Sequence, residues 1–311
     1  MPLRPSTFRE LAPAALAVAI AFWPARASAQ ACCAGSSAIT PGRLQVHEDA
    51  LIAVQARAAT IFGSHDGDGT YRKSPSGNSE LDLEEDLLGT LRVLPRAQVT
   101  VLVPFIETRR TAPPRLVDSG GGLGDVNLSA RYDLVLAGES LRIPGIAVLV
   151  GATLPTGKAP EAAANHPLAA HTTGIGALQG SIGLAIEQTF GPILLDVTGI
   201  LTQRAARTAD DVRTRLGTQG TLLAAIGYTF DNDAALALVG TYTVEGDARV
   251  DDRLIDGSGR RITTFTLSGL LPIDDTWRLQ GGVYGNPPIS QLGKNQPSSL
   301  GATLTVLRGW S

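Results

Sequence analysis

The sequence predicts an all-β protein, a transmembrane antiparallel up-and-down β-barrel of about twelve strands. Three observations predict it. In Gly124–Gly138, Val126, Leu128, Ala130, Tyr132, Leu134 and Leu136 fall on one face, and Asp125, Asn127, Ser129, Arg131 and Asp133 on the other. That is the two-residue period of a strand with one apolar and one charged side. The connections between such runs alternate short and long along the chain. The few aromatic residues gather beside the short turns, on the apolar face.

Met1–Ala29 reads as a signal peptide, with Arg4 and Arg9 at its start, an apolar run Leu11–Trp23 and an Ala27-Ser28-Ala29 cleavage site. Its removal leaves 23 basic and 28 acidic residues, with no basic footprint for nucleic acid. No later stretch is apolar enough for a helix to span a bilayer, so any membrane crossing is made by strands. Residues 30–46 are expected as a periplasmic N-terminal segment and 47–311 as the barrel. Cys32 and Cys33 admit a mobile end in an oxidising compartment, a local disulfide, a metal ligand or a lipid anchor.

Strands are expected at 48–62, 81–94, 97–110, 125–137, 144–155, 176–190, 193–204, 216–230, 234–246, 261–272, 276–286 and 299–310. Pro95-Arg96, Gly138–Ile143, Gly191-Pro192, Asp231–Asp233 and Ile273–Asp275 are the short connections. The long ones are 63–80, 111–124, 156–175, 205–215, 247–260 and 287–298. Short periplasmic turns and long extracellular loops produce this alternation in outer-membrane barrels, and an even strand count puts both termini in the periplasm. Strand six sets Leu178, Ile182, Leu184, Ile186 and Phe190 against Gln179, Ser181 and Glu187. Strand seven is blurred by Leu194 and Ile200, and strand twelve by Leu307.

Phe190, Tyr228, Phe230, Trp277 and Trp310 form the expected interfacial girdle at the short-turn side. Phe62, Phe105 and Tyr284 form a thinner one opposite. A soluble sandwich core would instead bury aromatics in mid-strand. Trp310, penultimate in the last strand, suits recognition by the barrel-assembly machinery.

No catalytic pattern survives inspection. Leu154–Ala159 has the wrong spacing for a phosphate loop and lacks its Ser/Thr, and no G-x-S-x-G occurs. Asp66-Gly67-Asp68-Gly69 starts like a calcium loop without the closing Glu. His166 and His171 share loop 156–175, where a surface metal contact is conceivable; no pair has helical ligand spacing, and no metal or cofactor is assigned. The lumen or solute path is assigned to Glu84, Asp86, Arg92, Asp125, Asn127, Arg131, Asp133, Glu187, Asp196, Arg204 and Arg278. Those charges either set selectivity along a pore or pair across strands and fill it.

Gly121–Tyr132 (GGLGDVNLSARY) and Pro144–Lys158 (PGIAVLVGATLPTGK), continued by Gly174–Pro192, resemble the outer-membrane barrel family associated with the meta-pathway of phenol degradation. The resemblance implies transport of small organic solutes across the outer membrane of a Gram-negative bacterium. The expected function is therefore a non-enzymatic, porin-like channel whose partners are lipid and a small solute, not nucleic acid. The alternative is a non-conducting barrel with an ion-paired lumen, serving as surface scaffold or adhesin.

Overall fold

Alternating apolar and polar residues over runs of ten or more leave every strand with one greasy and one hydrogen-bonding face, and closing the sheet separates the two. The structure, a computed structural model, describes residues 36–311 apart from 41, 141, 164 and 210. The signal peptide and the Cys32-Cys33 pair lie outside the described residues. Twelve antiparallel strands form the wall. They are β1 (Ala50–His65), β2 (Ser79–Leu94), β3 (Ala97–Ala112), β4 (in two pieces, Leu116–Leu123 and Val126–Val135), β5 (Gly145–Leu154) and β6 (Gln179–Phe190). Then follow β7 (Ile193–Arg204), β8 (Gln219–Thr229), β9 (Ala235–Glu245), β10 (Arg260–Pro272), β11 (Trp277–Gly285) and β12 (Gln296–Trp310). Each pairs with the next, and β12 returns to β1 from Ala50↔Trp310 to His65↔Gln296, so the sheet is closed. Closure leaves no edge strand in the wall.

All twelve expected strands are present, and apart from the start of β4 they lie within a few residues of their expected ends. The apolar face points outward: Leu128, Tyr132, Ile182, Leu184, Leu222, Ile226, Leu238 and Leu304 are exposed. Inward positions hold Asp86, Glu187, Asp196, Arg204 and Arg278, all buried. The long connections are less loop-like than their composition suggested. Segment 111–124, expected as a loop, carries the upper piece of β4, which pairs with β3 from Phe105↔Leu123 to Ala112↔Leu116. Its glycines lower strand propensity, but the β3 partner supplies the hydrogen bonds that hold it extended. Tyr71–Lys73 adds a short strand to β1. Arg207–Ala209, Val212–Arg215, Arg249–Val250 and Arg253–Leu254 form a small sheet at the same end.

Of residues 30–46, expected as a periplasmic N-terminal segment, 36–39 and 42–44 are buried inside the barrel, and the stretch continues through exposed Val46 and His47 to 49. A single helical turn at 36–39 is buried, and Ser268 Oγ (2.7 Å) and Gln280 Nε2 (3.2 Å) donate to the Ala38 carbonyl. Ala38 and Ile39 pack on Leu194, Ala225, Ala237, Val239 and Leu270. Leu44 packs on Leu51, Ala53, Leu88 and Leu307. Leu194 and Leu307, which break the alternation, thus face the lumen because an apolar segment covers them there. Burying each such leucine contributes about 1.5–3 kcal/mol. Gly42, at φ +84°, lets the segment turn where a Cβ would stand 2.7 Å from Leu88 Cδ2.

Candidate functional site

The site is the lumen, with a floor at the short-turn end, a cavity in the middle and a loop lying at the opposite mouth. The floor is residues 36–49, held by charge. Arg43 and Arg131 both bind Glu187 Oε1, the second at 3.0 Å, and Arg131 also meets Asp133 at 2.9 Å. Asp196 lies across from Glu187 on the neighbouring strand. Glu48 pairs with Arg278 at 2.6 Å, both almost wholly buried. Arg92 does not project into open lumen. It donates to the carbonyls of Glu48 (2.8 Å) and Gln45 (2.7 Å), pinning the root of the segment. Thr90 Oγ1 donates to the Gly42 carbonyl, and the Leu44 amide to Gln98 Oε1.

Above the floor is a cavity of about 500 Å³. Thr40, Gly42 and Arg43 contribute to its base. Its walls include Gln98, Thr100, Asn127, Ser129, Gln179, Ser181, Thr198, Thr202 and Thr221, with Leu149, Ile200 and Leu223 between them. Arg131 and Asp196 also line it, so the cavity offers a small solute hydroxyls and amides among aliphatic side chains, with charge beside them near the floor.

The mouth is shaped by the loop 155–178, packed against the inner wall of β3 and β4. Asp125, expected as a lumen charge, sits in the break of β4 and caps this loop instead. Its Oδ1 accepts from the Gly157 amide (2.9 Å) and its Oδ2 from Ile175 (2.7 Å). Thr156 Oγ1 donates to Gly124 O and accepts from the Val126 amide, and Lys158 Nζ donates to Gly121 O. The GGLGD and LPTGK stretches are therefore two halves of one joint. Arg110 Nη1 donates to the carbonyls of Leu168 and Ala169, while its Nη2 meets Glu80 at 2.7 Å. Asp118 stands above the level at which β5 ends, and amide bonds from Ala170 and Leu168 hold its carboxyl below the usual range.

The eleven predicted lumen residues thus fall into separate groups rather than one ring. Arg131, Asp133, Glu187 and Asp196 come together near the floor. Glu84 pairs with Arg57 at 3.0 Å, near Asp86. Arg204 bonds Gln179, Gln219 and Glu245, the last at 2.8 Å. Asn127 binds Thr153 Oγ1 and lines the cavity. Among the girdle residues, Phe190, Tyr228, Phe230 and Trp277 are exposed on the outer face. Tyr228 meets Phe230 edge-on, and Arg308 covers both Trp277 and Trp310. Tyr284, expected in the opposite girdle, faces the lumen under Arg57 (5.3 Å), because the register of β11 puts it on the same side as Arg278 and Gln280. Sequence reasoning missed Arg43, Glu48 and Arg57. The leucines on the lumen face were the signal that something apolar fills the floor.

Residues 35–286 match the family described as "Putative MetA-pathway of phenol degradation". The chain belongs to this family. Its fold is shared with an outer membrane channel from Pseudomonas putida F1, at 16% identity and TM-score 0.71, covering 87% of this chain and 98% of that one. The transport unit of the autotransporter AIDA-I from Escherichia coli is more distant, at 6% identity and TM-score 0.47 over 89% and 95% of the two chains. The KdgM porin stands at 10% identity and TM-score 0.46 over 83% and 99%. No curated protein matches the chain significantly. Outer-membrane β-barrel architecture is thus common to this family member and its solved neighbour.

Proposed function

We propose that the protein is a passive outer-membrane channel for small organic solutes, closed at its periplasmic end by residues 36–49. Both chain termini then lie in the periplasm, the long loops outside the cell, and Trp310 on the closing strand serves recognition by the assembly machinery. The observation that carries this reading is the 500 Å³ cavity, lined by hydroxyls, amides and aliphatic side chains with Arg43, Arg131 and Asp196 at one end, directly above a floor that belongs to no strand. Twelve strands enclose more than an eight-stranded barrel, whose interior side chains fill, and less than a sixteen-stranded porin. A removable segment makes such a lumen either tight or conducting.

The polarity of the cavity favours solutes that combine an apolar body with a hydrogen-bonding group. Membership of the family and the fold shared with the outer membrane channel support a channel in general and name no solute for this chain. No step of covalent chemistry is assigned. The buried pairs Arg43–Glu187 and Arg278–Glu48 favour the second reading, a permanently sealed barrel.

Planar-bilayer recordings separate the two. The full mature chain is compared with a variant lacking 36–47. The channel reading expects small, flickering conductance from the first and a steady, several-fold larger conductance from the second. Silence from both, with the deletion variant still showing heat-modifiable migration as a folded barrel, would leave the sealed scaffold.

A further inference from the structure

We propose that Asp118, His166 and His171 form a site for a divalent transition-metal ion of the Zn²⁺ class, fastening the loop 155–178 to the inner wall of the mouth. The three come from segments far apart in sequence, the upper piece of β4 and one long loop. One ligand atom from each lies within 4.8 Å of the other two. His171 Nε2 stands 3.9 Å from Asp118 Oδ1, and the two imidazoles stack with centroids 3.6 Å apart. In a tetrahedral zinc site with bonds of about 2.1 Å, ligand atoms stand roughly 3.4 Å apart. To bind one ion the two rings must turn out of their stack, so that their in-plane lone pairs converge beside Asp118 Oδ1.

Two details of the surroundings suit a ligand set. The amides of Leu168 and Ala170 both bind Asp118 Oδ2, leaving Oδ1 directed at His171. Supporting bonds of this kind orient metal ligands. Gly120 lies two residues beyond Asp118 on the same face of β4. A Cβ there would come within 2.6 Å of His171 Cγ, so the strand leaves room for the ring. Two imidazoles and one carboxylate select a borderline-soft ion over Ca²⁺ or Mg²⁺, which prefer oxygen alone. Three protein ligands leave a fourth position for water.

Metal binding would add ties through His166 and His171 to a loop already held by Asp118 and Arg110, tightening the mouth from the outer side. The proposal stands apart from the channel reading, because it concerns the loop whether or not the lumen conducts.

The test uses the full mature chain in detergent, with Cys32 and Cys33 alkylated so that their thiols cannot bind. Zn²⁺ titration calorimetry is expected to show one site, weakened roughly tenfold or more in His166→Ala and in His171→Ala. It should be unchanged in His47→Ala. The Cu²⁺-loaded protein should give an electron paramagnetic resonance spectrum with coupling to two imidazole nitrogens, and Zn²⁺ should slow proteolysis within 155–178. Heat-modifiable migration reports whether each variant still folds. Zn²⁺ affinity undiminished in both His variants would overturn the proposal, as would a Cu²⁺ spectrum without imidazole coupling.

Discussion

At the floor of the lumen, bonds to the backbone of residues 36–49 are joined by buried charge pairs; at the mouth, residues 155–178 are fastened mainly through their own backbone. Arg43, Glu187 and Arg131, with Glu48 and Arg278, form the charge pairs. Asp125, Thr156, Arg110 and Asp118 hold the mouth, by addressing the amides and carbonyls of the joint between wall and loop. The difference has a physical consequence. A carboxylate or hydroxyl that caps backbone groups fixes the shape of one loop and little else. A buried charge pair joins two bodies that separate cleanly only if both charges find new partners, since one left alone in a low-dielectric interior is costly. Release of the floor therefore requires both charges of each buried pair to find new partners, whereas the mouth is held by bonds that fix the form of one loop.

The largest expected effect comes from breaking the floor at its shared carboxylate. Glu187→Ala removes the partner that Arg43 and Arg131 share while Arg131 keeps Asp133, so the loss lies at or below the lower end of about 3–5 kcal/mol. The measurement is bilayer conductance: events should lengthen strongly relative to the unaltered protein. A trace indistinguishable from it would show that the aliphatic contacts of Ile39 and Leu44 hold the segment by themselves.

A smaller effect is expected from Gly309→Ala. A Cβ at this inward position would collide with the carboxylate end of Glu48, which must shift and loosen its pairing with Arg278. Such crowding costs about 1–3 kcal/mol. Protease access to residues 36–48 in the folded protein should rise, less than in Glu187→Ala.

Asp125→Ala tests the mouth. It removes the acceptor of the Gly157 and Ile175 amides, costing about 1–3 kcal/mol locally. Faster amide exchange in 155–178 is expected, with the closed-state conductance unmoved. Opening of the pore by this variant would erase the distinction between the two ends.

The smallest effect concerns the turn before β11. Asp274 accepts from the amides of Thr276 (2.8 Å) and Trp277 (2.7 Å), which hold its carboxyl below the usual value of 3.8. A depressed folded value means that this stabilisation is present in full above the unfolded value and is lost as pH falls through the folded one. Exchange at the Trp277 amide should quicken at low pH, below about 4. Asp274→Asn should flatten that response.

The wall was legible in the sequence because its signal is a period. Each strand needs only apolar and polar residues in alternation, and Gly191-Pro192 or Pro95-Arg96 marks where it turns. Register followed from the same alternation, so Glu187, Asp196, Arg204 and Arg278 were assigned to the lumen face. What that face does was not legible, because pairing across strands has no period. Asp125 and Arg92 look like pore charges until Gly157 and Glu48 are seen beside them. The floor escaped for a related reason. Residues 36–49 are short and of mixed polarity, and their burial depends on Leu194, Leu270 and Leu307 from three distant strands. The gathering of His166, His171 and Asp118 likewise required the upper piece of β4, hidden in a glycine-rich stretch that sequence alone assigns to a loop.

The Asp49 amide binds the Trp310 carbonyl at 2.7 Å, and the Arg92 amide binds the Asp49 carbonyl at 2.7 Å. The stopper is thus moored at its root to the two staves that flank β1. In the channel reading only the stretch before that mooring swings, and on so short a leash it sees its seat at an effective concentration in the millimolar range. Its return is then a first-order event, independent of how much protein the membrane holds.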